Sequence, residues 1–413
     1  MKSDLNRLMQ DKNLNAVLIT GPAQHNPAMY YMTGGGHLTS ADLIRVRDAD
    51  PVLYYNPMER EEAAATGLKT KNLDEYKFQE LVKQAGGDTI EALALRYQKM
   101  LTEQGLTAGR MAIYGKIDVG LGYAVFAALG KLMPDLEILG EASNNSTLLG
   151  AMSTKDETEI EHIRKMGQIT TSVVGQVADF LTSRRVEDGV LVNTDGQPVT
   201  IGEVKRRINL WLAERDAENP EGTIFAIGRD AGIPHSTGTS SDFLRLGQTI
   251  VFDIFPCEAG GGYFYDFTRT WCLGYAPDEA QALYEDVYAV YQRIVSELKV
   301  NETFKSYQDR TCELFEAQGH ATIKDDPTLQ AGYVHSLGHG LGLHVHERPW
   351  SGSLASDDDI LAPGSVMTIE PGLYYPERGM GCRLENTLWV RPDGKFEVLA
   401  EFPLDLVLPV KNG

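Results

Sequence analysis

Residues 249–273 read TIVFDIFPCEAGGGYFYDFTRTWCL, an apolar run, a glycine-rich break and a second run rich in aromatic and β-branched residues. That pattern predicts a β-hairpin turning at EAGGG. The midpoint between Asp253 and Asp266 falls between Ala259 and Gly260, so a symmetric hairpin sets these two carboxylates opposite one another. Residues 365–390, SVMTIEPGLYYPERGMGCRLENTLWV, repeat the arrangement, with Glu370 and Glu385 equidistant from the Glu377–Arg378 step in the turn region PERGMG. Like charges facing each other across a sheet repel, and a carboxylate that interrupts an apolar run needs a partner or a cation. A bulge in either strand would move these registers by one residue.

Four carboxylates of this kind call for a nitrogen donor, and residues 333–346, YVHSLGHGLGLHVH, supply four of the chain's nine histidines: His335, His339, His344 and His346. Gly338, Gly340 and Gly342 allow the backbone to come close to a ligand. His344 and His346, two apart, share a face if this stretch is a strand. His339 lies seven residues before His346 and therefore has a different role. Four carboxylates with one imidazole make a hard, oxygen-rich set suited to two divalent ions. Manganese, cobalt, iron and zinc all fit such a set, whereas a lone structural zinc would take thiolates or more imidazoles.

The rest of the chain frames this site. Its 413 residues suit two domains. Before residue 150, the short apolar runs LNAVLIT, PVLYYNP, MAIYG and LEILG alternate with helical patterns such as DTIEALALRYQKMLTEQG, which predicts an α/β domain with a largely parallel sheet. A long helix then opens the second domain, with Thr154 and Glu157 as a capping box ahead of apolar positions Ile160, Ile163, Met166, Val173 and Val177. Helical segments at 202–215 and 278–299 alternate with the two hairpins, an α+β texture.

A formal net charge of −20, from 38 Lys and Arg against 58 Asp and Glu, speaks against nucleic acid and against an anionic membrane surface. The amino-terminal stretch lacks a signal peptide's unbroken apolar region and no apolar run reaches membrane-spanning length, so the expected location is the cytoplasm. Cys257, Cys272, Cys312 and Cys382 are scattered without a CxxC pair and read as reduced structural thiols.

Taken in order, PHS at 234–236, VFDIF, DFTRT, GHGLGLHVHERP, TIEPGLY and RLEN resemble the pita-bread (M24) metallopeptidase family, in the proline-specific branch that contains prolidase (Xaa-Pro dipeptidase) and aminopeptidase P. The motifs span residues 234–386, and the general plan is similar over essentially the whole chain. The resemblance implies an α+β fold, with a pita-bread catalytic domain at 151–413 preceded by a creatinase/prolidase-like α/β domain at 1–150. It implies Asp253, Asp266, His339, Glu370 and Glu385 as ligands of two divalent ions, manganese first. Asp253 would chelate one ion, Asp266 and Glu385 would bridge both, and His339 and Glu370 would complete the other. His235 and His346 would be non-ligand histidines that touch the substrate, and Glu370 would also carry the proton of the attacking water.

The implied activity is hydrolysis of the Xaa-Pro bond at the amino terminus of dipeptides or short peptides, through a hydroxide bridging the two ions. The implied partner is a proline-containing peptide, and the implied assembly a homodimer. Arg383, two residues before Glu385, could brace a ligand or meet a substrate carboxylate. Two departures stand out: the Asp253 to Asp266 interval is two residues longer than usual, and Trp350 follows HERP where dipeptide-cleaving relatives can carry an arginine. Two alternatives remain open, a creatinase-like carbon–nitrogen hydrolase that works without metal and a non-catalytic pita-bread binding scaffold. Retention of all five ligands argues against both.

Overall fold

The computed structural model describes residues 1–353 and 355–410. The chain divides into two compact units, Met1–Met152 with Gly260–Gly262, and Ser153–Ala259 with Tyr263–Gly413. The first unit holds strands β1 (Ala16–Gly21), β2 (Ala41–Val46), β3 (Val52–Tyr55), β4 (Lys69–Asn72), β5 (Gly109–Gly115) and β6 (Leu136–Leu139). They form one sheet in the order β4-β3-β2-β1-β5-β6. Three neighbouring pairs are parallel and two antiparallel. The expected, largely parallel sheet is therefore mixed. Residues 47–51 turn β2 straight back into β3, and a link that short permits only antiparallel pairing. Two helices of this unit, α1 (Thr89–Glu103) and α2 (Val119–Leu132), place Met100, Leu101, Val125 and Leu129 in its apolar core beside Leu18 and Met111.

The second unit opens with α3 (Glu157–Thr182), whose predicted apolar positions Ile160, Ile163, Met166, Val173 and Val177 are all buried. Its capping box is made by Asp156 and Glu159 rather than by Thr154 and Glu157. Asp caps as well as Thr does, and the chain is still extended at Asp156. Helices α4 (Ile201–Ala213) and α5 (Asp278–Glu297) match the expected segments; α6 (Phe304–Ala317) was not foreseen.

Strands β7 (Thr223–Ile227), β8 (Thr249–Ile254) and β9 (Phe267–Leu273) form a meander on which a short carboxy-terminal strand, Val407–Leu408, also pairs. A second sheet contains β10 (His339–Gly340), β11 (Glu347–Trp350), β12 (Val366–Ile369), β15 (Asn386–Val390) and β16 (Phe396–Val398), in the order β11-β10-β12-β15-β16. Between β12 and β15 the hairpin continues outward as the pair β13 (Gly372–Tyr375) and β14 (Met380–Arg383).

Both predicted hairpins exist. In the second, Ile369 pairs with Asn386 and Gly372 with Arg383, so the register sets Glu370 against Glu385 as expected. In the first, Asp253 faces Thr268 and not Asp266. The turn centres one residue later than symmetry about the carboxylates requires, because Gly260 and Gly261 take φ of +87° and +81°, a region closed to Ala259 at low cost. Asp266 is consequently a diagonal neighbour of Asp253, still on the same face because the displacement is two residues.

Alternation then separates core from site. Met367, Ile369, Leu384, Leu388 and Val390 of the second hairpin belong to a core that includes Leu283, Val287 and Ile294 of α5 and Phe304 and Phe315 of α6. Burying each such side chain contributes about 1.5–3 kcal/mol. The intervening residues Thr368, Glu370, Glu385 and Thr387 take the opposite face.

Candidate active site

One backbone bridge, Thr268 to Glu385, joins the two hairpins. It brings the four expected carboxylates together. Arg269, 1% exposed, secures this junction by donating to the carbonyls of Thr268, Glu385, Phe402 and Pro403 and to Asn386 Oδ1. A polar side chain that deep is tolerated because it is so fully hydrogen-bonded.

Asp266, His339 and Glu385 each present a ligand atom within 4.8 Å of the others. His339 Nε2 lies 3.6 Å from Asp266 Oδ2 and 3.4 Å from Glu370 Oε1. Its Nδ1 is 3.0 Å from the carbonyl of Gly340, which can only accept, so Nδ1 carries the hydrogen and Nε2 offers its lone pair to the carboxylates. Burial, then the neighbouring His346, pushes His339 down to about 3, so the ring is neutral. With Nδ1 carrying the hydrogen, the Nε2 lone pair faces these carboxyl oxygens and could serve a metal shared with them.

Electrostatics points the same way. Asp266 and Glu370 are raised well above the usual carboxylate range by burial and by Glu385. Burial and the charge of Asp253 push Glu385 up to about 8. At an effective dielectric of about 20, two unit charges 4 Å apart repel by roughly 4 kcal/mol. Arg383 neutralises one carboxylate, its Nη2 donating to Asp253 Oδ2 at 2.6 Å. Asp253 Oδ1 is buried with no hydrogen-bond partner, free to bind a cation. The residues present therefore fit divalent metal, which would relieve the repulsion and take the orphaned oxygen.

The remaining expected residues occupy one cavity of about 830 Å³ whose lining includes His235, His346, Glu370, Arg383 and Trp350. His235 and His346 are exposed to it, and the His346 ring centroid lies 4.3 Å from that of His339. Burial of its surroundings lowers the His346 pKa. Arg383 donates to Asp253, to Tyr374 Oη at 2.6 Å, to the Pro234 carbonyl and to Thr268 Oγ1. Bracing Asp253 is thus the role its bonds describe, and its hold on Pro234 also anchors the loop that carries His235.

One reading of the histidine-rich stretch is corrected. Residues 342–346 form bends and the strand begins only at Glu347, so His344 and His346 do not share a strand face, and His344 is not among the cavity-lining residues. The glycines also allow close packing within the protein: a Cβ on Gly338, which lines the cavity, would stand 2.1 Å from the Thr368 carbonyl oxygen, and one on Gly340 2.0 Å from that of Arg348.

Sequence reasoning missed the hydroxyls that orient Glu385, His339 and Glu370. Thr268 Oγ1 donates to Glu385 Oε2 at 2.7 Å. Thr368 Oγ1 accepts the His339 backbone N–H at 3.1 Å and reaches Glu370 Oε1 at 3.3 Å. Each lies two residues from a carboxylate, so counting strand period would have found both. His335, given no role, lines the cavity and takes the Tyr374 hydroxyl at 2.8 Å on Nε2, while its Nδ1 faces the Ser336 carbonyl at 2.7 Å. Burial, then Arg383, holds it near 3 and hence neutral.

A two-unit chain whose α+β unit gathers buried carboxylates and an imidazole at the floor of a cavity is a metallohydrolase by design of its site. The chain matches the model for metallopeptidase family M24 over residues 161–392 and belongs to that family. It is similar to the Xaa-Pro dipeptidase of Pyrococcus furiosus, 27% identical over 404 residues that cover 95% of this chain and 97% of that one. It is 31% identical to the probable dipeptidase PepE of Mycobacterium tuberculosis over 295 residues, 69% of this chain and 71% of that one. Among solved structures, the Xaa-Pro dipeptidase of Bacillus anthracis matches with a TM-score of 0.74 at 21% identity, covering 98% of this chain and 99% of that one. The X-Pro aminopeptidase of Thermotoga maritima MSB8 matches with a TM-score of 0.71 at 21% identity, covering 97% of this chain and 99% of that one. The fold is that of a pita-bread domain preceded by a creatinase/prolidase-like α/β domain.

Proposed function

We propose that this metallopeptidase removes the residue amino-terminal to proline from dipeptides or short peptides. The observation that carries the reading is the cage itself, three carboxyls pushed upward around a neutral imidazole with an orphaned Asp253 oxygen, at the base of a peptide-sized cavity. The names of full-length relatives, Xaa-Pro dipeptidase among them, support the substrate class.

We assign residues 1–150 to the amino-terminal domain and 151–413 to the catalytic domain, and Asp253, Asp266, His339, Glu370 and Glu385 as holders of two divalent ions, manganese by preference. When bound, such ions supply an acidic water near neutral pH and draw electron density from the scissile carbonyl. Glu370 keeps 15% of its side chain accessible. In this reading it takes the water proton and passes it to the proline nitrogen, a secondary amine that must be protonated to leave. His235 and His346 receive the substrate carbonyl as negative charge develops on its oxygen. Thr268, Thr368 and Arg383 hold the ligands so that little reorganisation accompanies the reaction. Four buried free thiols suit a cytoplasmic setting, and no helix among the described residues is long and apolar enough to cross a membrane. A homodimer is the expected assembly, checked by light scattering.

The test is product analysis of manganese-loaded protein given matched Xaa-Pro dipeptide, Xaa-Pro tripeptide and Xaa-Ala dipeptide. Cleavage of proline substrates in preference to Xaa-Ala is expected. Dipeptide preference marks a prolidase and tripeptide preference an aminopeptidase P, while equal cleavage of Xaa-Ala would remove proline specificity from the account.

A further inference from the structure

Glu347 follows His346 directly and is 0% exposed. Its Oε2 receives Lys155 Nζ at 2.8 Å and its Oε1 receives the backbone N–H of His344 at 3.0 Å. Lys155, itself 4% exposed, comes from the segment just ahead of α3, where its own N–H donates to the Gly364 carbonyl. The chain between His339 and His346 is therefore wrapped around a buried anion. Gly340 pairs with Glu347, the Gly342 N–H donates to the His344 carbonyl, and a Cβ on Gly342 would stand 2.6 Å from a Glu347 carboxylate oxygen. The two ends of this wrapped segment carry the rings of His339 and His346. Neither Lys155 nor Glu347 lines the cavity, so neither meets substrate.

We propose that Lys155 and Glu347 are positioning residues for the reaction: their buried ion pair fixes the 340–347 segment so that His346 stands at its working distance from His339 and the carboxylate cage. The inference rests on the reading that His346 serves the substrate. An apolar pair of the same volume would fold as well or better than a buried ion pair. Glu347 does more than fill space, however, since one oxygen holds the His344 amide while the other holds the lysine. Once either partner is gone the remaining charge must find water or another donor, and only by moving the segment can it do so. A ring displaced by about 1 Å costs on the order of 10²-fold in turnover.

The test is a set of double-mutant cycles on manganese-loaded, full-length protein: Lys155→Met, Glu347→Gln and the pair together, each with and without His346→Ala, assayed on an Xaa-Pro dipeptide for kcat and KM and by elemental analysis for bound metal. The expected result is a fall in kcat of about 10- to 100-fold in the single variants, with KM changed less than about 3-fold and metal content unchanged. In the His346→Ala background the same substitutions should cost no more than about 2-fold, because the group they position is gone. Equal losses in both backgrounds, or full kcat in Lys155→Met and Glu347→Gln, would overturn the proposal. Should Lys155→Met fail to fold, Glu347→Gln, which keeps the volume and an acceptor oxygen, carries the cycle. Full activity in His346→Ala alone would remove the reading of His346, and this inference with it; an impaired His346→Ala with additive losses removes the inference only.

Discussion

Stripping the metal and raising the pH should destabilise this protein, and the size of the effect follows from the cage. Glu385 moves from an ordinary 4.5 to about 8 on folding without metal. Between those values the unfolded chain has lost a proton that the folded chain keeps, so stability is present below pH 4.5 and is lost as pH rises toward 8. His335 and His339, lowered from 6.5 to about 3, act with the opposite sign, adding stability as pH rises from 3 to 6.5, and are silent above that. The clean window is therefore pH 6.5 to 8. Across it Glu385 alone costs the metal-free protein about 2 kcal/mol, at 1.36 kcal/mol per unit. Asp266 and Glu370, both raised, add losses of the same sign. His162, raised by its hydrogen bond to Glu258, also loses stability as pH rises, but equally with and without metal. The difference between manganese-saturated and metal-free protein isolates the cage. Denaturant unfolding at pH 6.5 and 8.0 should show that difference growing by at least about 2 kcal/mol, equivalent to roughly 30-fold tighter metal binding. A difference that is flat or shrinks would refute the assignment of these carboxyls as protonated in the metal-free state.

Other consequences are simpler to score. Asp266→Ala should abolish both metal loading, by elemental analysis, and turnover. Glu370→Gln should keep at least part of the metal while lowering kcat by about 10²- to 10⁴-fold, the range for loss of a general acid–base. Arg383→Met leaves Asp253 buried without its cation and should cost about 3–5 kcal/mol in metal-free stability, read by denaturant unfolding. All four thiols are buried, so a thiol reagent should label none of them in native protein and four per chain after unfolding.

The parts legible in the sequence were those set by short-range periodicity. The second hairpin turns through PERGMG, one register runs from the Val366–Trp389 pair to the Tyr375–Met380 pair, and the opposition of Glu370 and Glu385 follows from counting residues. The first hairpin defeated the same counting because the turn follows the glycines that can take positive φ, not the midpoint of two functional residues. His339 was legible as a nitrogen donor, but its loop was not legible as a wrap around Glu347, since nothing local to HVHE indicates a lysine 192 positions away. The same limit hid Arg269, whose five partners come together only when residues near 385 and 402 are folded against the first hairpin.

The most direct measurement is a metal titration of chelator-treated protein, following bound manganese per chain and hydrolysis of an Xaa-Pro dipeptide in the same samples. Turnover should be absent without metal and should reach its full value as the second ion binds. Full turnover in metal-free protein, or none with two ions bound, would contradict the account.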